Sequence, residues 1–275
     1  MQLSLGYSPC PNDTFIFHAL THGLVDMNGI TVSESLADVE TLNRLALDAR
    51  YDLTKVSFHA LAFLRDNYCL LRSGGAVGRG CGPLVLTRKP TDMSALSGKR
   101  IAIPGRFTTA YMLLMLYGDQ SWEVVEMPFD RIMDAVQSGE VDAGLVIHES
   151  RFTYHAHGLH KALDLGEWWE SETGLPIPLG GILARRTLGV EVVRAVESGI
   201  RRSIEYARRH PEAAKPYIKE YAQEMDDAVI DSHIGLYVNE FSLDLGEEGM
   251  SAVEELFARA EYRRIIPTDD NPLFL

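Results

Sequence analysis

Three short stretches carry side chains suited to chemistry on a small acid. His148 follows an apolar run at 141–147 that reads as a buried strand, and Glu149 and Ser150 come next. An imidazole titrates at about 6.5 when unperturbed, so it can take up or release a proton near neutral pH. Thr108 and Thr109 follow a short apolar strand at 100–103 and a Pro104-Gly105 turn, where a helix is expected to open. The first N–H groups of a helix have no intrahelical acceptor, and the positive end of the helix dipole lies behind them. Such a start can seat a carboxylate or phosphate, and threonine hydroxyls add donors. The same pattern is also that of an ordinary threonine cap on a buried helix. Thr54-Lys55-Val56-Ser57 forms a second strand-to-helix junction. Lys55 and Ser57 can hold an acid group there, or they can be a helix cap beside a solvated lysine.

Other residues tempt and carry less. Cys10 lies in the stiff turn Ser8-Pro9-Cys10-Pro11-Asn12-Asp13, with Asn12 or Asp13 expected to cap the helix that follows. A nucleophilic thiol needs an activating partner, and no base stands near it in sequence. His155, His157 and His160 are spaced closely enough to suggest a metal site, but the stretch holds a glycine and no cysteine, and it reads as a solvated loop. The glycine-rich run at 73–82, with Arg79 its one charge, lacks the Gly-Lys-Ser/Thr of a phosphate loop and leads into a strand. Its glycines are expected to let backbone approach backbone. Glu197 with Arg201, and Glu205 with Arg209, stand four apart on what reads as a solvated helix face.

The elements that position these groups alternate. Strands are expected at 2–7, 30–36, 52–56, a short one ending at 70–71, then 83–87, 100–103, 122–127, 141–147, 162–165 and 176–184, with helices among them and a helical C-terminal region from 190. This order predicts an α/β fold with mostly parallel sheets, which bind ligands beyond the carboxyl ends of their strands. Two extended crossings flank the block at 91–176. The expected division is a discontinuous first domain, 1–87 with 185–275, and a second domain, 88–184, with a cleft between them. Ser57 would face that cleft from one side and Thr108 and Thr109 from the other, with His148 at the rim. That placement favours the anion seat over the plain cap.

Composition narrows the partners. The 275 residues carry a formal net charge of −13. Nucleic acid is excluded as an expected partner, because binding it needs clustered Lys and Arg. A small acidic ligand is still admissible, since one pocket can be positive on an acidic protein. No apolar stretch reaches the ~18 residues of a membrane span. Cys10, Cys69 and Cys81 have no metal spacing, and the opening residues carry no basic segment followed by an apolar run. A cytoplasmic location is therefore expected.

SPCPNDTFIF at 8–17, TKVS at 54–57, GKRIAIPGRFTTA at 98–110 and GEVDAGLVIHE at 139–149 together resemble the 1,4-dihydroxy-6-naphthoate synthase family of the futalosine route to menaquinone. The resemblance spans nearly the whole chain. It implies the two-domain, type 2 periplasmic-binding-protein-like fold, with each domain a mostly parallel sheet flanked by helices. It also implies a cytoplasmic carbon–carbon lyase with no metal or organic cofactor, acting on the carboxylated cyclic dehypoxanthinyl futalosine. The products would be 1,4-dihydroxy-6-naphthoate and dihydroxyacetone. Carried over by position, the proton acceptor is His148, and the substrate-binding residues are Lys55, Val56, Ser57, Thr108 and Thr109. Two alternatives share the fold: a non-catalytic binder of small carboxylates and the sister chorismate dehydratase of the pathway. A pure binder has no need of an imidazole at the strand end, and the SPCPNDTFIF opening favours the synthase. The oligomeric state is left open.

Overall fold

The computed structural model describes residues 1–118, 121–222 and 226–275. The first third of the chain runs β1 (Gln2–Tyr7), α1 (Pro11–Thr21), β2 (Thr31–Leu36), α2 (Val39–Leu47), β3 (Leu53–Ser57), α3 (Phe58–Leu61), β4 (Tyr68–Leu70), β5 (Ala76–Gly78) and β6 (Leu84–Thr87). The middle is β7 (Arg100–Ile103), α4 (Thr109–Tyr117), β8 (Glu123–Glu126), α5 (Ile132–Ser138), β9 (Ala143–Val146), α6 (Ser150–Thr153), β10 (His160–Asp164), α7 (Leu165–Thr173) and β11 (Ile177–Arg185). Helices α8 (Gly189–Arg209), α9 (Pro211–Tyr221), α10 (Asp227–Tyr237), α11 (Glu240–Leu243) and α12 (Gly246–Tyr262) follow. Among the described residues no helix is long and apolar enough to cross a membrane.

The strands form two sheets. One has the order β2-β1-β3-β11-β4 with β5 also on β11, and the other is β10-β6-β9-β7-β8. Each is mostly parallel in strand direction, as expected, with one strand running against the rest, β11 in the first and β6 in the second. β1 is parallel to β2 and β3, but β11 is antiparallel to β3, β4 and β5. β7 is parallel to β8 and β9, while β6 is antiparallel to β9 and β10. The antiparallel strands are those by which the chain changes sheets. A strand arriving from elsewhere needs no helical crossover from its neighbour, so its direction is not tied to the parallel order. The same two strands lie next to the expected boundaries. β6 lies before residue 88 yet belongs to the second sheet, and β11 lies mostly before 185 yet belongs to the first. Both are near-continuous apolar runs, and such a run fits the interior of either sheet.

Packing fixes the frame around α1. Residues Pro11 to Leu20 of this helix are all buried. It starts two or three residues earlier than expected from a cap at Asn12 or Asp13, with Pro11 in the first turn and Cys10 at the cap position, because proline's missing N–H costs nothing there. The apolar face of α8, carrying Val193, Val196, Ile200 and Ile204, is buried as expected. Each such side chain contributes about 1.5–3 kcal/mol. From the same helix, the Ser203 hydroxyl donates to the Ile16 carbonyl at 2.6 Å and accepts from the Leu20 N–H at 3.0 Å. A second cluster runs through both sheets and contains Val56, Leu70 and Leu183 of the first with Ile101 and Leu145 of the second.

Gly82, the last of the glycine-rich run, explains that run's composition. A Cβ there would lie 2.2 Å from the Gly166 nitrogen and 2.3 Å from its Cα, which is backbone against backbone. Gly82→Ala should therefore destabilise the protein by about 3 kcal/mol through overpacking. Gly80→Ala is the control. Its Cβ would meet nothing within 4 Å at a φ of +67°, so only the left-handed backbone is strained. Urea unfolding of both variants checks the order, and equal losses would contradict it.

Candidate functional site

A cleft of about 660 Å³ lies between residues of the two sheets and takes in all six expected site residues: Lys55, Val56, Ser57, Thr108, Thr109 and His148. Asn12, Asp13, His233 and Tyr237 join them on its wall.

On the first-sheet side, β3 delivers Lys55 inward, where it is neither solvated nor free. Its ammonium donates to the Oδ1 of Asp13 at 2.9 Å and to the Gly74 carbonyl at 3.3 Å. Asp13 also accepts from the Asn12 side-chain amide at 2.9 Å and from the Ser8 hydroxyl at 2.7 Å. The buried cation is thus neutralised within the protein, and what it offers a ligand is a rigid, hydrogen-bonded floor. Val56 is buried beside it and supplies apolar wall. Ser57 ends β3, and the helix after it has only four residues, shorter than the pattern of Leu61 and Leu64 suggests. The Ser57 N–H donates to the Oδ1 of Asn43 at 2.9 Å, and its hydroxyl accepts from the Asn43 amide at 3.2 Å. The hydroxyl proton therefore remains for a ligand.

On the second-sheet side, Thr108 caps α4. Its hydroxyl accepts from the Tyr111 N–H at 3.2 Å and donates to the Gly105 carbonyl at 2.7 Å. The Thr109 hydroxyl donates to the Leu179 carbonyl of β11. Both hydroxyl protons are engaged, so the plain-cap reading describes the side chains correctly. The donors facing the cleft are main-chain ones. Thr109 and Ala110 open α4, their N–H groups have no intrahelical acceptor, and both residues line the cleft. An anion held at this helix start would meet backbone N–H groups and the helix dipole, with the two threonines fixing the turn.

His148 sits two residues beyond β9 with φ at +57°. Histidine adopts this left-handed conformation more readily than most residues. Its Nδ1 is 3.4 Å from the Sγ of Cys10, and its ring meets Phe129 edge-on at 5.0 Å. Burial holds its pKa below the ordinary value, opposed in part by the charges of Glu149 and Asp13. Burial, aided by Glu149, pushes the Cys10 thiol well above its usual range. Both partners are thus neutral near pH 7. The thiol is not the activated nucleophile of a Cys–His pair, although the fold does bring it the base its local sequence lacked. With Nδ1 facing the thiol, Nε2 is the nitrogen left for a ligand.

Cys10, His148 and Glu149 place their ligand atoms within 4.8 Å of one another, the one such group among the described residues. A metal there would require the thiolate, which this environment disfavours. His155, His157 and His160 form no such group. Arg79 lies elsewhere, paired with Glu248 at 2.7 Å. The residues that local sequence did not single out are His233 and Tyr237, on α10. The Nε2 of His233 meets the Oδ1 of Asn12 at 2.9 Å across 221 positions of sequence. A lone histidine in a C-terminal helix has no motif to mark it.

The family model described as menaquinone biosynthesis matches residues 3–262. The chain is 56% identical to the 1,4-dihydroxy-6-naphtoate synthase of Thermus thermophilus over 273 residues, covering 99% of each chain. It is 49% identical to the synthase of the same name from Streptomyces coelicolor over 270 residues, covering 96% of this chain and 95% of that one. A crystal structure of an Archaeoglobus fulgidus protein superposes with a TM-score of 0.91 at 41% identity, covering 96% of this chain and 98% of that one. The alkanesulfonate-binding protein SsuA of Xanthomonas axonopodis superposes at 0.71 with 15% identity, covering 97% of this chain and 94% of that one. The latter likeness establishes the periplasmic-binding-protein-like fold expected from the sequence. With near-complete coverage by the family model and by two synthases, the chain belongs to the 1,4-dihydroxy-6-naphthoate synthase family of menaquinone biosynthesis.

Proposed function

We propose that this protein is a cytoplasmic carbon–carbon lyase of the futalosine route, converting cyclic dehypoxanthinyl futalosine to 1,4-dihydroxy-6-naphthoate and dihydroxyacetone. The observation that carries the reading is one cleft lined by a half-buried imidazole, kept neutral by desolvation, and by Thr109 and Ala110, which open α4. The substrate carboxylate docks on the N–H groups of Thr109 and Ala110, with the Ser57 hydroxyl and the Lys55–Asp13 floor opposite. Docking there places the sugar-derived ring toward His148. With hydrogen on Nδ1, the His148 Nε2 accepts a proton from that ring, so that the ring opens and a C–C bond breaks. Aromaticity of the naphthoate drives the sequence forward, and closure of the cleft over the substrate would keep water from intermediates. The role of oxyanion holder falls to the backbone and the role of base to the imidazole. The proposed reaction needs neither a metal nor an organic cofactor.

Incubation with cyclic dehypoxanthinyl futalosine should yield the naphthoate, read by its absorbance. Tight binding of the compound without product would make the protein a carboxylate binder instead. Turnover of chorismate would make it the sister dehydratase.

A further inference from the structure

A hydrogen-bonded chain of four side chains runs from β3 to α10 along the cleft wall. The Lys55 ammonium donates to the Oδ1 of Asp13 at 2.9 Å. The Asn12 amide nitrogen donates to the same oxygen at 2.9 Å, and the Asn12 oxygen meets the Nε2 of His233 at 2.9 Å. These roles are forced. An ionised carboxylate only accepts, so Asp13 turns the NH₂ of Asn12 toward itself and the amide oxygen toward His233. That oxygen also only accepts, so His233 carries its hydrogen on Nε2. The lone pair of the ring is then on Nδ1, and Nδ1 is buried with no hydrogen-bond partner.

His233 is 1% exposed and lines the cleft. Its ring is nearly parallel to that of His148, at 14° and 6.5 Å between centroids. Burial, with the neighbouring His148, pulls its pKa down to about 3. Protonation therefore does not relieve the unpaired nitrogen at any working pH. Buried acceptors nearly always have a partner, and the cleft that His233 lines is the nearest open space from which one could come.

We infer that His233 is a substrate-binding residue whose Nδ1 accepts a hydrogen bond from a hydroxyl of the ligand, with Lys55, Asp13 and Asn12 fixing the tautomer that makes this possible. The inference rests on the proposed reaction, whose substrate carries hydroxyls on its sugar-derived ring. It gives the two imidazoles different tasks: His148 takes a proton and His233 holds a hydroxyl. A site built to accept from a hydroxyl also discriminates against analogues that lack one.

Two substitutions separate acceptance from structure. His233→Gln can keep an N–H for Asn12 but has no acceptor at the Nδ1 position. His233→Asn places an amide oxygen near that position. KM for cyclic dehypoxanthinyl futalosine should rise roughly ten- to a hundredfold in His233→Gln with kcat little changed, and His233→Asn should recover part of the loss. Nitrogen-15 NMR of the wild-type imidazoles supplies a reading that does not depend on the variants folding. The unliganded protein should show His233 with hydrogen on Nε2 and a bare Nδ1. Hydrogen on Nδ1 overturns the inference. So does an unchanged KM in His233→Gln, or equal loss in both variants, while wild-type turnover persists and the proposed reaction stands. A wild-type protein that makes no naphthoate overturns both.

Discussion

His148→Asn should lower kcat for naphthoate formation by about 10²–10⁴-fold, the usual contribution of a positioned proton acceptor, while the Kd of the substrate changes by no more than a few fold. Asparagine is chosen because residue 148 has a φ of +57°, which asparagine tolerates better than most residues, and its amide can still meet the Cys10 thiol. The substitution therefore removes the base with little strain. The pH profile of the wild type supplies a second test. The pKa of His148 is lowered by burial, so the neutral form dominates above that value and is lost as pH falls through it. In kcat/KM, which reports the free enzyme, the acid limb should lie below the ordinary imidazole value of about 6.5. His148→Asn should lose that limb. Near-native turnover in the variant would remove His148 from the mechanism. An acid limb above 6.5 would mean that its charged form is stabilised, contrary to its surroundings.

The six expected residues meet at one cleft, and the reason that much is legible is local. Lys55 and Ser57 end a strand, Thr108 opens a helix, and His148 follows an apolar run, and each pattern is contained within a few residues. What those patterns do not contain is the use of individual atoms. The Thr109 hydroxyl is engaged by the Leu179 carbonyl, 70 residues away. The charge of Lys55 is engaged by Asp13, 42 residues away. Both partners are set by how β11 and α1 pack, which no local period encodes. The SPCPNDTFIF segment shows the difference well. Its specificity to the family is plain in sequence, but its physical content is tertiary: Cys10 faces His148, Asn12 faces His233, and Asp13 faces Lys55. The same holds for the sheets. Their strands are visible as apolar runs, whereas the exchange of β6 and β11 between them depends on partners far along the chain.

The Lys55–Asp13 pair is where stability and site geometry meet, and Lys55→Met should destabilise the protein by about 3–5 kcal/mol. The pair's side chains are 6% and 2% exposed, so removing the cation leaves a carboxylate that water does not reach. Ser8 and Asn12 still donate to it, but neither carries a charge. The double variant Lys55→Met with Asp13→Asn removes both charges, and because a buried ion pair contributes little beyond its own desolvation cost, most of the lost stability should return. Urea unfolding measures this, and a double variant no more stable than Lys55→Met alone would show that the pair does more than cancel two charges. Activity should not return with stability. An amide at position 13 can donate as well as accept, so it no longer dictates which way the Asn12 amide faces. Asn12 can then present its NH₂ to His233, which favours the tautomer with hydrogen on Nδ1. A double variant that folds normally and keeps a raised KM separates the pair's effect on the tautomer from its effect on stability. Recovery of both together would reduce the ion pair to a packing feature.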